Sequence, residues 1–293
     1  MPVTYTPLRF PGGKSKIYPF MVDLLKANDL LGCAYAEPFC GGAGLAMAML
    51  LKGNVSRVIL NDLDPAVYSV WNAVLEHTDE LCDFISTVPL DVGEWERQRK
   101  IYLSEKIPSL ELGCAAFYLN RTNRSGILGA RPIGGLNQEG RYGIGARFNR
   151  VNLRNKILAI ATRRDDIALH NYDAMDFMAN VAPSLGKKSL VYLDPPYVRK
   201  GPGLYENSFD ESDHRELANC IRGYRGKWMV TYDTDPLIDS LYVPDDGWDI
   251  WVGGIDVRYC AASKRPISKE RLVLGPGLVM PSTQRENGID KAC

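Results

Sequence analysis

Short apolar runs separated by glycine, proline and acidic residues set the rhythm of this chain. Ala34 to Glu37 predicts a short strand, and Val55 to Asn61, β-branched and apolar, a second. Ahead of them the turn Pro11-Gly12-Gly13 opens a helix predicted from Ser15 to about Ala27. Between them a glycine turn leads into an apolar helix from Leu45 to about Lys52. Asp64-Pro65 then opens another helix, with Asp64 as N-cap and Pro65 at the first helical position. Strand, turn, helix, strand, acid, helix is how a doubly wound α/β sheet begins.

The texture changes after about residue 76. Helical stretches carry the chain to Asn120, and from Arg121 to Asn149 it is rich in glycine, arginine and asparagine with little periodicity. So long an irregular stretch is usually functional or mobile. The α/β pattern then resumes. Strands are predicted at Ile167–His170, Ser189–Leu193 and Trp228–Tyr232, with helices at Ala174–Val181 and Glu211–Tyr224. A polar loop runs from Val198 to Asp210, and Trp248–Val252 and Arg271–Leu274 read as closing strands. The expected organisation is an interrupted α/β domain in two pieces, 1–75 and 165–280. A mainly helical, basic insertion over 76–164 separates them, and a loose polar tail follows over 281–293.

Composition narrows the class. With 45% hydrophobic and 24% charged residues, the 293-residue chain matches an ordinary soluble globular protein. The apolar run Leu45 to Leu51 is far too short to cross a bilayer, and no basic segment leading into an apolar stretch opens the sequence. A cytoplasmic protein without a membrane partner is the expectation. Seven cysteines occur, at positions 33, 40, 82, 114, 220, 260 and 293, with no C-x-x-C pair. That spacing argues against a zinc site and against a disulfide framework, so no metal is expected. Net charge is zero, yet Arg121 to Arg164 holds ten basic residues and one acid, Glu139. Such a segment suits a polyanion; a solvated basic face is the plainer alternative.

Candidate chemistry gathers at two places. Glu37-Pro38-Phe39-Cys40-Gly41-Gly42-Ala43-Gly44 lies between a strand and a helix, where glycines allow a tight turn and close approach of a ligand. Asp62 ends the next strand, where an acid can accept hydrogen bonds from a ribose diol. Taken alone, such a turn is as consistent with plain structure as with a cofactor site. Glu37 shifts the balance: it would repel a pyrophosphate but could accept from the ammonium group of S-adenosylmethionine. Asp173 could meet an adenine amino group, cap the helix that starts at Ala174, or do both.

The second place is Asp194-Pro195-Pro196-Tyr197, directly after a strand. Prolines end the ladder and fix the backbone so that the Pro195 carbonyl can face a ligand crevice. An exocyclic aromatic amine is a poor nucleophile because its lone pair is delocalised. A carboxylate and a carbonyl accepting its two hydrogens would draw the nitrogen towards tetrahedral geometry and aim the lone pair at a methyl donor. Tyr197 offers a ring for base stacking. A strand-ending turn with a surface tyrosine is the bland reading of the same four residues.

These motifs resemble the Dam-like (D12 class) DNA adenine N6-methyltransferases over most of the chain. Arg9-Phe10-Pro11-Gly12-Gly13-Lys14 is similar to the family's N-terminal motif, which implies that Phe10, Gly12, Gly13 and Lys14 attend the cofactor. The resemblance carries cofactor contacts to Glu37, Pro38, Phe39, Gly41, Gly42, Gly44, Asp62, Asp173 and Asp194, and catalysis to Asp194, Pro195, Pro196 and Tyr197. It also implies a seven-stranded, mostly parallel sheet, S-adenosylmethionine as cofactor and double-stranded DNA as partner. Phe117 to Gly126 looks like the entry to a target-recognition region, and Tyr232-Asp233 like a motif lining the base pocket. Within the insertion, Arg124, Asn120 and Asn123 are the candidates for base contacts. Arg121 belongs to the same DNA-binding set, and Arg141, Arg147, Arg150 and Arg154 are candidates for phosphates. Phe10-Pro11 departs from the family's usual Trp-Ala, and Gly41-Gly42-Ala43-Gly44 from its usual glycine spacing, so the recognised DNA site stays open. Also open are a restriction, phage or solitary setting, and a monomer, the default, against a dimer. The rival functions are RNA adenine or protein glutamine N-methylation on the same fold, and a catalytically silent DNA-binding module.

Overall fold

The structure, a computed structural model, describes residues 4–10, 12–198, 209–258 and 267–282. Seven strands form one sheet: β1 (Cys33–Glu37), β2 (Val55–Asn61), β3 (Ile167–His170), β4 (Ser189–Leu193), β5 (Trp228–Asp233), β6 (Trp251–Arg258) and β7 (Ile267–Leu274). Their spatial order is β3-β2-β1-β4-β5-β7-β6. Pairings from β3 through β5 are parallel, and β7 runs antiparallel between β5 and β6.

Because strand side chains alternate in direction, each strand feeds two cores. Tyr35, Leu60, Leu190, Tyr192, Met229 and Leu272 enter one apolar cluster. Their neighbours Ala36, Ile59, Val191, Leu193, Val230 and Val273 enter the other. The first cluster takes α1 (Tyr18–Ala27), α2 (Gly44–Leu51) and α3 (Pro65–Glu76). It also takes α4 (Thr78–Thr87), α5 (Val92–Ser104), α6 (Leu110–Thr122) and α7 (Arg150–Ala161). The second is covered by α8 (Ala174–Asn180), α9 (Glu211–Gly223) and α10 (Pro236–Leu241). The helices inserted between α3 and β3 thus share a core with the sheet.

Local signals account for most boundaries. Asp64 caps α3 by accepting from Ala66 N at 2.8 Å, with Pro65 in the first turn. A cap of this kind contributes about 1 kcal/mol. Asp210 and Asp213 close a capping box on α9. Three boundaries differ from expectation by three residues or more, one being the strand expected at Arg271–Leu274, which starts at Ile267. The first helix opens as a 3-10 turn over Lys14–Ile17, and the regular helix begins only where Pro19 occupies its first turn. The closing strand expected at Trp248–Val252 starts at Trp251 and runs to Arg258. Trp248 instead sits in a turn, its N–H bonded to Asp245 O at 2.9 Å, and stacks on Tyr242 at 5.7 Å. Indole burial outcompetes the ladder there. Most of the loop expected over 198–210 and most of the tail expected over 281–293 lie outside the described residues.

Candidate active site

Strand order reverses between β1 and β4, and in such sheets the crevice at the carboxyl ends of those strands is where ligands bind. β1 delivers Glu37 there and β4 delivers Asp194. Parallel pairing of Ala36 with Val191 sets the two strand ends side by side.

Asp194 is the hub. Its Oδ1 accepts from Lys14 Nζ at 2.5 Å and from Thr231 Oγ1 at 3.1 Å. Lys14 also donates to the Tyr197 hydroxyl at 2.7 Å and lies 4.9 Å from the centre of that ring. Tyr197 in turn donates to Glu270 Oε1 at 2.6 Å, and Glu270 Oε2 is 3.8 Å from Lys14 Nζ. Burial, then Asp194 and Glu270, push the Tyr197 phenol far above its ordinary range, so it stays protonated. Pro195 is buried and Pro196 half-buried between them, ending β4 because neither ring nitrogen can donate. Residues 180 positions apart in the chain are thereby joined by a direct ion pair.

The glycine turn lies against Phe10. A Cβ on Gly41, whose φ is +45°, would sit 3.1 Å from the Phe10 ring, and one on Gly42 would sit 3.2 Å from it. Pro38 O accepts from Asn61 Nδ2 at 2.9 Å, and Phe39 packs edge-on against Phe209 at 5.6 Å. Gly44 opens α2, while Gly12 and Gly13 lead into Lys14. Glu37, 5% exposed, accepts from Tyr35 OH at 2.9 Å. Burial pushes its carboxyl up to about 8, against the pull of the Tyr35 hydroxyl. Asp62 accepts from Gly41 N at 2.8 Å and Asp64 N at 3.1 Å. Burial, with Asp64 nearby, raises its carboxyl to about 7. Asp173 caps α8 through Met175 N at 2.8 Å. Acidic side chains thus line a crevice whose neighbouring cation is Lys14, a setting suited to a cationic ligand.

The basic segment divides in two. Asn120 is 1% exposed and binds both backbone groups of Arg9: it accepts from the amide at 2.8 Å and donates to the carbonyl at 2.7 Å. It also donates to Gly126 O at 2.9 Å. At Gly126, φ +78°, any side chain would strike the Arg9 carbonyl. Asn123, fully buried, accepts from Trp95 Nε1 at 2.6 Å and donates to the carbonyls of Ile127 and Leu128. Arg121 donates to the carbonyls of Arg147 and Pro7, and burial followed by Arg9 and Arg147 depresses its guanidinium pKa. Arg150 donates to the carbonyls of Ile85 and Val88 at the end of α4. Asn120 and Asn123 are thus buried in the scaffold, and Arg121 and Arg150, half-buried, hold its carbonyls. Arg124, Arg141, Arg147 and Arg154 are exposed.

The structure also relocates one motif and adds two residues. Tyr232 points into the second core and its hydroxyl pairs with His214 Nδ1 at 3.1 Å, so it does not line the crevice. Its neighbours face the other way: Thr231 reaches Asp194, and Asp233 Oδ1 accepts from Val198 N at 3.2 Å. Period-two alternation sets Thr231 and Tyr232 on opposite faces but does not say which of them meets the crevice. Glu270, in the run Ser268-Lys269-Glu270-Arg271, carried no signal.

The mostly parallel sheet of seven strands, with an acid-proline-proline-tyrosine motif at its switch point, is consistent with a methyltransferase fold. A family model described as D12 class N6 adenine-specific DNA methyltransferase matches residues 10–248, and the chain belongs to that family of enzymes. Among curated proteins it is 25% identical over 234 residues to the Type II methyltransferase M.MjaIII of Methanocaldococcus jannaschii, covering 73% of this chain and 78% of that one. Among solved structures it aligns with the precorrin-6y C5,15-methyltransferase of Geobacter metallireducens at 10% identity. That alignment covers 87% of this chain and 85% of the other, with a TM-score of 0.35.

Proposed function

We propose that this enzyme transfers a methyl group from S-adenosylmethionine to N6 of an adenine turned out of duplex DNA at a specific site. The observation that carries the reading is Asp194 at the carboxyl end of β4, held by Lys14 and Thr231 beside Tyr197. The donor set suits the cofactor: buried Glu37 can accept from its ammonium group, and Asp62 from its ribose hydroxyls. Bound S-adenosylmethionine would supply an electrophilic methyl carbon. Asp194 and the Pro195 carbonyl accept the two hydrogens of the target amine and orient its lone pair. Once the nitrogen carries the methyl group, its surplus proton would pass through Asp194 to solvent. The Tyr197 ring supports the base, a contact of about 1–3 kcal/mol. Extrusion of the base costs a few kcal/mol.

In this reading residues 76–164 are the target-recognition part, inserted into a catalytic part made of 1–75 and 165–280. Arg124 reads a base edge, and Arg141, Arg147 and Arg154 meet phosphates. Asn120, Arg121, Asn123 and Arg150 shape the surface that presents them. A labelled methyl-transfer assay on duplex DNA, RNA and protein tests the proposal. Label in adenine N6 of duplex DNA is expected; label only in RNA or protein, or DNA binding without label, overturns it.

A further inference from the structure

We infer that Glu270 is a positioning residue for methyl transfer: with the Tyr197 hydroxyl it holds Lys14 on Oδ1 of Asp194, so that Oδ2 is left for the target amine. The inference rests on the proposed DNA adenine reaction and deepens it. Asp194 has to accept a hydrogen from the amine, and because Lys14 at 2.5 Å and Thr231 at 3.1 Å both donate to Oδ1, its other oxygen is the one left for that hydrogen. Lys14 is 5% exposed, and a buried ammonium deprived of its counterion is strongly unfavourable. Keeping Lys14 on the Oδ1 side therefore needs a second anion at a fixed place.

Glu270 provides that place. It stands on β7 opposite Asp233, is 1% exposed, and faces the crevice beside Tyr197. Its Oε2 lies 3.8 Å from Lys14 Nζ, an ion pair that sets the ammonium between the two carboxylates. The Tyr197 hydroxyl bridges the two side chains, accepting from Lys14 at 2.7 Å and donating to Glu270 at 2.6 Å. The same bridge fixes the ring at its rim and leaves stacking to its face.

Single-turnover methylation of duplex DNA by the full chain tests this, with cofactor and DNA affinities measured in parallel. Glu270→Gln is expected to slow the chemical step roughly tenfold while both affinities stay within about threefold. Glu270→Asp should recover part of the rate. Coupling is the decisive readout: Lys14→Met combined with Glu270→Gln should be no slower than Lys14→Met alone, since Glu270 acts through Lys14. A Glu270→Gln rate equal to the unsubstituted enzyme overturns the inference, as does a double variant whose losses multiply. If Glu270→Gln does not melt cooperatively, Tyr197→Phe decides. It removes the bridging hydroxyl and keeps the ring, so a several-fold slower step supports the inference and an unchanged rate sinks it. Failure of the unsubstituted enzyme to methylate adenine would instead remove the proposed function.

Discussion

The crevice and the basic segment both carry dense ionisable chemistry, but they hold it in opposite ways. In the crevice, strand ends β1, β4, β5 and β7 converge, and four acids are each fixed by a donor: Tyr35 of the same strand on Glu37, and, from other elements, Gly41 on Asp62, Lys14 on Asp194 and Tyr197 on Glu270. In residues 121–149 two 3-10 turns are the regular structure, and side chains stand in for the missing ladder. Asn120, Asn123, Arg121 and Arg150 satisfy backbone carbonyls that a helix or sheet would have paired. The lesson concerns arginine in particular. Where backbone lacks regular partners, a guanidinium is as apt to hold carbonyls as to meet a phosphate.

The sharpest way to break this comparison is at its centre. Asp194→Ala should lower methyl transfer by at least about a hundredfold while leaving cofactor affinity within about threefold. Equal loss of cofactor binding would mean that Asp194 builds the cofactor site and not the amine site. Asn120→Ala should come next, costing about 2 kcal/mol and a few degrees of melting temperature. It leaves both backbone groups of Arg9, next to Phe10 and the glycine turn, without their partner. Unaltered stability with relaxed site choice would return Asn120 to the bases.

Arg150 and Arg147 sharpen the division within the segment. Arg150→Ala should cost about 1 kcal/mol of stability and leave the salt dependence of DNA binding unchanged. Arg147→Ala should reduce the salt slope by about 1 and keep stability within about 0.5 kcal/mol. Identical behaviour of the two variants in salt titrations would erase the distinction.

The smallest effect is set by pH. Glu37 has a folded value of about 8 against 4.5 ordinarily, and Asp62 about 7 against 3.8. Between each pair of values the folded protein holds a proton that the unfolded chain has lost, so their contribution to stability is full below about pH 4. It declines as pH rises through 7 and 8. A cation bound against Glu37 favours the carboxylate, so cofactor binding should release a proton and tighten from pH 6 to 8. Glu37→Gln should flatten that slope in calorimetry performed in buffers of different ionisation enthalpy; an unaltered slope would assign the proton elsewhere.

The strand–turn–helix order, the caps at Asp64 and Asp173, and the arrest of β4 at Asp194-Pro195-Pro196 were all legible in the chain. Each depends on neighbours within a few residues, and local sterics and hydrogen bonding act over that range. The strand-end positions of Glu37, Asp62 and Asp194 were legible for a related reason: parallel strands deliver their carboxyl ends to one edge whatever the rest of the fold does. Tertiary structure alone decided that Glu270 joins Lys14 and Tyr197, that Tyr232 turns away while Thr231 turns in, and which polar side chains of the basic segment face solvent. Those outcomes depend on which distant backbone groups lack partners and which strand packs beside which. Neither is written in the order of residues near the group concerned.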